Sequence, residues 1–204
     1  FCSVKTGKPL NLDYNEPLRT ANAVKMMGLK HVVITSVDRD DIKQDYGSSI
    51  WAKTVEEIHR HVPGCQVEVL TPDFRGNKKA LLKVFGSKPE IFSHNIECVK
   101  RISKQVRPQS DWDRSKDVLS YAVKNNMTTK TGMMVGLGET DSEVYETLIE
   151  ISDLGVEIFN IGQYLQPTKD HLPISRYVDP DCFNSYKEFG LKQGFRVVES
   201  GPLV

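Results

Sequence analysis

The sequence predicts one α/β domain whose parallel strands curl into a barrel that lacks its first strand. Strand-length apolar runs alternate along the chain with stretches of helical periodicity. Each run halts in polar, charged or glycine residues, as strands do where their carboxyl ends open onto a site. The intervals between runs have the length of right-handed βαβ crossovers. At 204 residues and 39% hydrophobic content, the chain suits a single domain, 1–204, with a sizeable core. An open doubly wound sheet is the competing architecture, and the lack of a GxGxxG turn opening a helix counts against it.

Taken in order, Asn15-Glu16-Pro17 starts a helix, since proline suits a first turn, and Gly28 stops it after Met27. The apolar run 31–34 ends in Thr35-Ser36-Val37-Asp38-Arg39-Asp40-Asp41. Ile50, Trp51, Val55, Ile58 and Val62 then recur at helical spacing until Pro63-Gly64. A strand at 66–70 ends in Thr71-Pro72-Asp73-Phe74-Arg75-Gly76, and a short helix follows near 78–85. The strand 91–93 ends in His94-Asn95-Ile96-Glu97. Next come a brief helix to about Gln105 and a longer one over 111–126 with Val118, Leu119 and Ala122 inward. The run 133–135 ends in Gly136-Leu137-Gly138-Glu139-Thr140, and Thr140 with Glu143 has capping-box spacing for a helix reaching Leu154. The run 158–161 ends in Gly162-Gln163-Tyr164-Leu165-Gln166-Pro167. Asp179 as cap and Pro180 in the first turn start the last helix, Gly194 ends it, and 195–199 supplies a sixth strand.

Composition removes several function classes. The 27 basic and 27 acidic residues cancel, so no electrostatic footprint of a nucleic-acid or anionic-membrane binder is present. No apolar run approaches the roughly 20 residues of a membrane span. Cysteines at 2, 65, 98 and 182 have neither disulfide-scaffold nor zinc spacing, which favours a reducing compartment. The chain opens at Phe1 without initiator methionine, signal or transit segment, and so reads as an internal piece of a longer protein.

Each polar cluster carries a chemical reading and a plainer one. Gly136 and Gly138 let backbone approach a planar ring or ribose, or they simply make a tight turn into the capped helix. Asn95 and Glu97, two apart, share a side if the strand continues and suit a diol such as ribose; alternatively they cap the next helix. Asp38, Asp40 and Asp41 around Arg39 could bind a metal or orient Arg39 toward an anion, or form a solvated loop. Lys100, Arg101 and Lys104 belong to an exposed helix, whereas Arg107, before Pro108, is placed to reach a carboxylate. Cys65, Cys98 and Cys182 read as small buried hydrophobes. Lys130 opens its strand on the side away from the site, where a structural role is at least as good a reading.

Phe1-Cys2-Ser3-Val4-Lys5-Thr6-Gly7-Lys8-Pro9, the Thr35 to Asp41 run, His94-Asn95-Ile96-Glu97, Gln105-Val106-Arg107-Pro108, Val135-Gly136-Leu137-Gly138-Glu139 and Gly162-Gln163-Tyr164-Leu165-Gln166-Pro167 together resemble the lipoyl synthase family, in order and along essentially the whole chain. That family is part of the radical S-adenosylmethionine (SAM) superfamily, so the resemblance implies a partial (β/α)6 TIM-like barrel of the radical SAM type. Cys2 would be the last cysteine of a CxxxCxxC motif holding a [4Fe-4S] cluster, whose open iron chelates SAM; soft thiolate donors suit such a cluster. Asn95 and Glu97 would bind the ribose and Arg107 the methionine carboxylate. Gly136, Gly138 and Glu139 would line the adenine side, and Ser36 and Asp38 would complete the cofactor site.

The resemblance further implies a 5′-deoxyadenosyl radical that takes hydrogen from C6 and C8 of an octanoyl chain on a carrier lysine. Two sulfur atoms are then inserted from an auxiliary [4Fe-4S] cluster whose ligands lie outside this chain. Implied partners are octanoylated lipoyl domains of oxo-acid dehydrogenase complexes or the glycine-cleavage carrier protein, with ferredoxin or flavodoxin as electron donor. Nucleic acid and membrane are not expected. The implied compartment is a bacterial cytoplasm, or a mitochondrial or plastid matrix. With one cluster cysteine, the 204 residues alone are expected to be an inert core of marginal stability or a self-associating one. Biotin synthase shares the His-Asn strand end and the Gly-Leu-Gly-Glu turn; the Thr35 to Asp41 run, the Gln163 to Pro167 run and His171-Leu172-Pro173 favour lipoyl synthase. A nonredox barrel lyase or binding module using the strand-end carboxylates is the alternative from another class.

Overall fold

The computed structural model describes Gly7 and residues 9–204; Cys2 lies outside the described residues. Among these residues, six parallel strands pair in chain order: β1 (His31–Thr35), β2 (Gln66–Leu70), β3 (Ile91–Ser93), β4 (Thr129–Val135), β5 (Ile158–Gln163) and β6 (Val197–Gly201). An order without a switch point is that of a barrel arc and not of a doubly wound sheet. The fold is a partial TIM-like barrel.

Among the described residues, seven α-helices connect and cover the strands: α1 (Glu16–Met26), α2 (Ser48–His61), α3 (Lys78–Gly86), α4 (Ser103–Val106), α5 (Trp112–Lys124), α6 (Asp141–Ser152) and α7 (Pro180–Gln193). Local chemistry sets their ends. Asp111 accepts the Arg114 N–H at 3.1 Å to start α5, and Asp179 accepts the Asp181 N–H at 2.9 Å to start α7. Both halves of the Thr140–Glu143 capping box form, at 3.3 and 2.8 Å. Gly194, at φ 111°, closes α7 in the left-handed conformation that glycine adopts without penalty.

Several boundaries depart from the sequence reading, three of them for visible reasons. The sixth strand begins at Val197, because Phe195 is drawn into the core against Phe159, with ring centroids 5.3 Å apart. β4 begins at Thr129, where buried Thr129 and Thr131 alternate with Lys130. The brief helix after β3 is a 3-10 turn, Lys100–Ile102, followed by the single turn of α4.

Alternation along the strands separates two faces. Ile34, Val67, Val69 and Phe92 pack outward with α1, α2 and α3 in one hydrophobic cluster. Met133, Val135, Phe159, Ile161 and Val198 pack outward with α6 and α7 in a second. α5 touches both, Val118 and Ala122 in the first and Trp112 and Leu119 in the second. The intervening residues Glu68, Leu70, Ser93, Lys130, Gly132, Met134, Ile158 and Asn160 therefore face the concave inner side. Lys130, expected on the side away from the site, thus shares the inner face, where its Nζ lies 2.9 Å from the buried Glu68 carboxylate.

Candidate functional site

β3 does not continue as a regular strand, contrary to the simple alternation expected for Asn95 and Glu97. The His94 N–H donates to Lys130 O at 3.1 Å, but the next ladder bond runs from Glu97 N–H to Gly132 O at 3.0 Å, so three steps on β3 oppose two on β4. This is a bulge. The Thr131 hydroxyl fills the gap, donating to His94 O at 2.8 Å and accepting from Ile96 N–H at 3.3 Å. Ile96 turns into the core and Asn95 faces the lumen. Glu97 takes a left-handed φ of 68°, and its carboxylate is hydrogen-bonded by the Asn95 side chain. Backbone of this kind costs about 1–3 kcal/mol and concentrates at functional sites. Burial pushes the Glu97 carboxyl up, while Arg107 and the Asn95 hydrogen bond hold it down.

Arg107 reaches this corner from the end of α4. Its Nη1 donates to Asn95 O at 3.2 Å, and among the described residues it forms no ion pair, leaving the rest of a half-buried guanidinium available. Asp38 lies within its electrostatic reach. The Asp38 carboxyl is raised by partial desolvation at the strand ends and by Asp73 and Asp40, against the pull of Arg107. His94, beneath them, is buried between strand and helix. Thr71 O can accept but not donate, so Nδ1 at 2.9 Å carries the proton, and Nε2 accepts from the Ser115 hydroxyl at 3.0 Å. Desolvation lowers His94 from 6.5 to about 4, so the ring is neutral.

The glycine turn after β4 has a structural explanation. Glu139, 5% exposed, folds back so that its carboxylate accepts from the N–H groups of Gly136 at 2.7 Å and Leu137 at 2.9 Å. A Cβ on Gly136 would lie 2.3 Å from Gln163 Nε2 and 2.5 Å from Arg176 O. The space expected to admit a ring is thus filled at Gly136 by the chain's own 163–176 segment. Gly138 is open, its nearest neighbour Ser175 Oγ at 3.8 Å from a Cβ position. Gln163, not expected from sequence as a site organiser, joins three segments: its Nε2 faces the carbonyls of Val135, Tyr164 and Arg176 at 3.0–3.2 Å and its Oε1 accepts from Val178 N–H. Arg176 then pairs with Asp141 at 2.6 Å, which also accepts from the Tyr186 hydroxyl. The motif that contains Gln163 was the available signal; for Arg176 there was none.

Two of the three carboxylates in the acidic run are spent on ion pairs. Arg39 makes two 2.9 Å contacts to Asp41, and Asp40 lies 3.4 Å from Arg75. Among the described residues, no group of three or more His, Cys, Asp or Glu is arranged to hold a metal ion. Ser36 donates to Val37 O and lines a groove of about 390 Å³ between α1, β1 and α2 with Val33, Trp51 and Thr54. No hydrogen bond or ion pair among the described residues joins it to Asn95, Glu97 or Arg107. The structure therefore brings together Asn95, Glu97, Arg107 and, electrostatically, Asp38; it holds Gly136 and Glu139 in a turn of their own and leaves Ser36 on the β1 edge. No helix is long and apolar enough to cross a membrane, among the described residues.

Residues 1–151 match the profile of the Radical SAM superfamily. The chain is 52% identical to the lipoyl synthase of Rubrobacter xylanophilus, covering 100% of this chain and 64% of that protein. It is 48% identical to the lipoyl synthase of Flavobacterium johnsoniae, covering 100% of this chain and 71% of that protein. It thus spans about two thirds of the length of these relatives. Streptococcus suis SuiB bound to S-adenosylmethionine shares the fold, with a TM-score of 0.72 at 11% identity over 96% of this chain and 45% of that one. By sequence along its whole length and by the fold of its barrel, this chain belongs to the lipoyl synthase family of the radical SAM superfamily.

Proposed function

We propose that this chain is the SAM-binding barrel of a lipoyl synthase, which inserts two sulfur atoms at C6 and C8 of a protein-bound octanoyl chain. The observation that carries the reading is 48–52% identity to lipoyl synthases along the entire chain.

The residues present fit such a ligand. Gly132 has no side chain where a Cβ would stand 3.2 Å from Asn95 Oδ1, so the carboxamide lies over bare backbone with room for a sugar. Asn95 and Glu97 offer a paired amide and carboxylate to a vicinal diol. Arg107 offers an unpaired guanidinium to a carboxylate. Bound there with a [4Fe-4S] cluster, SAM would supply one-electron cleavage of its sulfonium and hydrogen abstraction from unactivated carbon. The chain's own part is to bind and orient. Glu97 accepts from ribose hydroxyls, with Arg107 and Asn95 opposing the rise that burial imposes on its carboxyl. His94 anchors the strand end from which Asn95 and Glu97 project. Leu70, Met134 and Ile158 give the inner wall apolar surface that excludes water.

Cys2 is the proposed cluster ligand in this chain. The auxiliary [4Fe-4S] cluster that donates sulfur is proposed to be held by residues outside it. Ser36, Asp38, Gly136, Gly138 and Glu139 are proposed to border the cofactor, Glu139 through the turn it holds. Octanoylated lipoyl domains or the glycine-cleavage carrier protein are the proposed substrates and a small ferredoxin or flavodoxin the proposed reductant, in a bacterial cytoplasm or an organelle matrix. The test is anaerobic reconstitution of the full-length protein with iron and sulfide, then incubation with SAM, reductant and an octanoylated lipoyl domain. Mass spectrometry showing two sulfurs gained, with two hydrogens lost once the dithiol is oxidised to the disulfide, supports the reading. Release of 5′-deoxyadenosine with an unchanged carrier moves the substrate elsewhere.

A further inference from the structure

We propose that Asn160 is a ligand-binding residue of this site, hydrogen-bonding the ribose hydroxyl edge of an adenosyl ligand from the strand opposite Asn95. The inference rests on the adenosyl-binding reading above and adds a contact from β5. Phe159 and Ile161, each 0% exposed, pack outward into the helix-side core, so Asn160 between them faces the lumen. Asn160 pairs in register with Gly132. A Cβ on Gly132 would meet Asn95 Oδ1 at 3.2 Å and Asn160 Cβ at 3.4 Å, so the two asparagines flank a strand position that carries no side chain.

The second observation is what Asn160 lacks. It is half-buried, yet among the described residues its carboxamide makes no hydrogen bond. The comparable amides are engaged: Asn77 caps α3, Asn125 donates to Tyr121 O, Gln163 joins three segments, and Asn95 holds Glu97. A carboxamide carries two N–H donors and two acceptor lone pairs, and leaving them idle inside a fold is unfavourable. Placed across Gly132 from the Asn95–Glu97 pair, it is positioned for the same polyol that those two residues grip. One strand supplies an amide and a carboxylate, the other an amide, and bare backbone lies between.

The test is calorimetric titration with 5′-deoxyadenosine as probe, and with its 2′- and 3′-deoxy analogues, against the full-length, cluster-reconstituted protein and its Asn160→Ala variant, each checked for a cooperative melt. The alanine variant is expected to bind 5′-deoxyadenosine roughly five- to tenfold more weakly, the effect of one hydrogen bond. The penalty for removing one of the two hydroxyls is expected to shrink in the variant, as coupling in a double-mutant cycle. Equal affinity of wild type and variant, or an undiminished analogue penalty, overturns the assignment while leaving the adenosyl reading in place. A folded, reconstituted full-length protein that binds no probe overturns both. If Asn160→Ala melts without cooperativity, Asn160→Ser takes its place, and unchanged affinity there overturns the assignment equally.

Discussion

Replacing Gly136 by alanine tests whether the glycine turn is dictated by the chain's own packing. The new Cβ would meet Gln163 Nε2 at 2.3 Å and Arg176 O at 2.5 Å, and the second is backbone that cannot swing aside. Three costs follow. The positive φ of 95° costs an alanine about 1–2 kcal/mol. Overpacking against the Arg176 backbone costs about 1–3 kcal/mol. Displacing the Gln163 amide from its carbonyls costs about 1 kcal/mol per bond lost. The overlapping sum is about 3–5 kcal/mol, which for a chain of this size lowers the melting temperature by roughly 10 °C. Gly138→Ala is the control: its φ of 112° carries a similar backbone cost, but its nearest neighbour is Ser175 Oγ at 3.8 Å. Chemical denaturation of both variants, and of Gly136→Ala in a Gln163→Ala background, gives the comparison. The reasoning requires Gly136→Ala to be the more damaging by about 2 kcal/mol, and less damaging once Gln163 is truncated. Equal losses at 136 and 138 would refute it.

His94 makes stability pH-dependent in a stated direction. Its folded pKa of about 4 lies below the ordinary 6.5, so the unfolded chain binds the extra proton between those values; the contribution, roughly 3 kcal/mol, is complete above pH 6.5 and lost as pH falls toward 4. His94→Asn should flatten urea midpoints across that window, and an unchanged slope would place the titration elsewhere. Arg107→Lys keeps the charge but loses the planar fork, so SAM binding should weaken about tenfold while 5′-deoxyadenosine, lacking the carboxylate, binds as before. Equal losses for both ligands would remove Arg107 from the carboxylate. Glu97→Gln should weaken 5′-deoxyadenosine binding yet leave the melting temperature at pH 8 equal or higher, since it removes a desolvated charge; a lower melting temperature would show the carboxylate to be structural.

What could be read from the sequence was what local chemistry decides. The Thr140–Glu143 box, the Asp179-Pro180 start and the Gly194 stop each depend on neighbours within a turn, and each formed where the residues required. The region of the site was legible for a related reason, since polar residues closing an apolar run mark a strand's carboxyl end. Partners were not legible. The bulge after β3 depends on Thr131, 35 residues from Ile96. Nothing in Gly136-Leu137-Gly138-Glu139 says that the carboxylate folds back on its own turn, or that Gln163 and Arg176 fill the space beside Gly136. The 195–199 strand was misplaced by two residues because an aromatic side chain inside the core outweighs period-two alternation.

The two hydrophobic clusters meet at the join between β3 and β4, where Phe92–Thr129 and Ser93–Lys130 are the register pairs before the bulge interrupts the ladder. β4 and β5, by contrast, pair without interruption from Lys130–Ile158 to Val135–Gln163. α5 packs into both clusters and so straps the join. Asn95 and Glu97 stand on the β3 side of the ladder, Gly132 and Asn160 on β4 and β5. An adenosyl ligand bound across them, as proposed, would act as a suture: by mass action it would raise the free energy of parting the strands it spans. Hydrogen exchange would register this as protection gained at His94, Glu97 and Met134 amides on adding ligand, well before the global unfolding limit is reached.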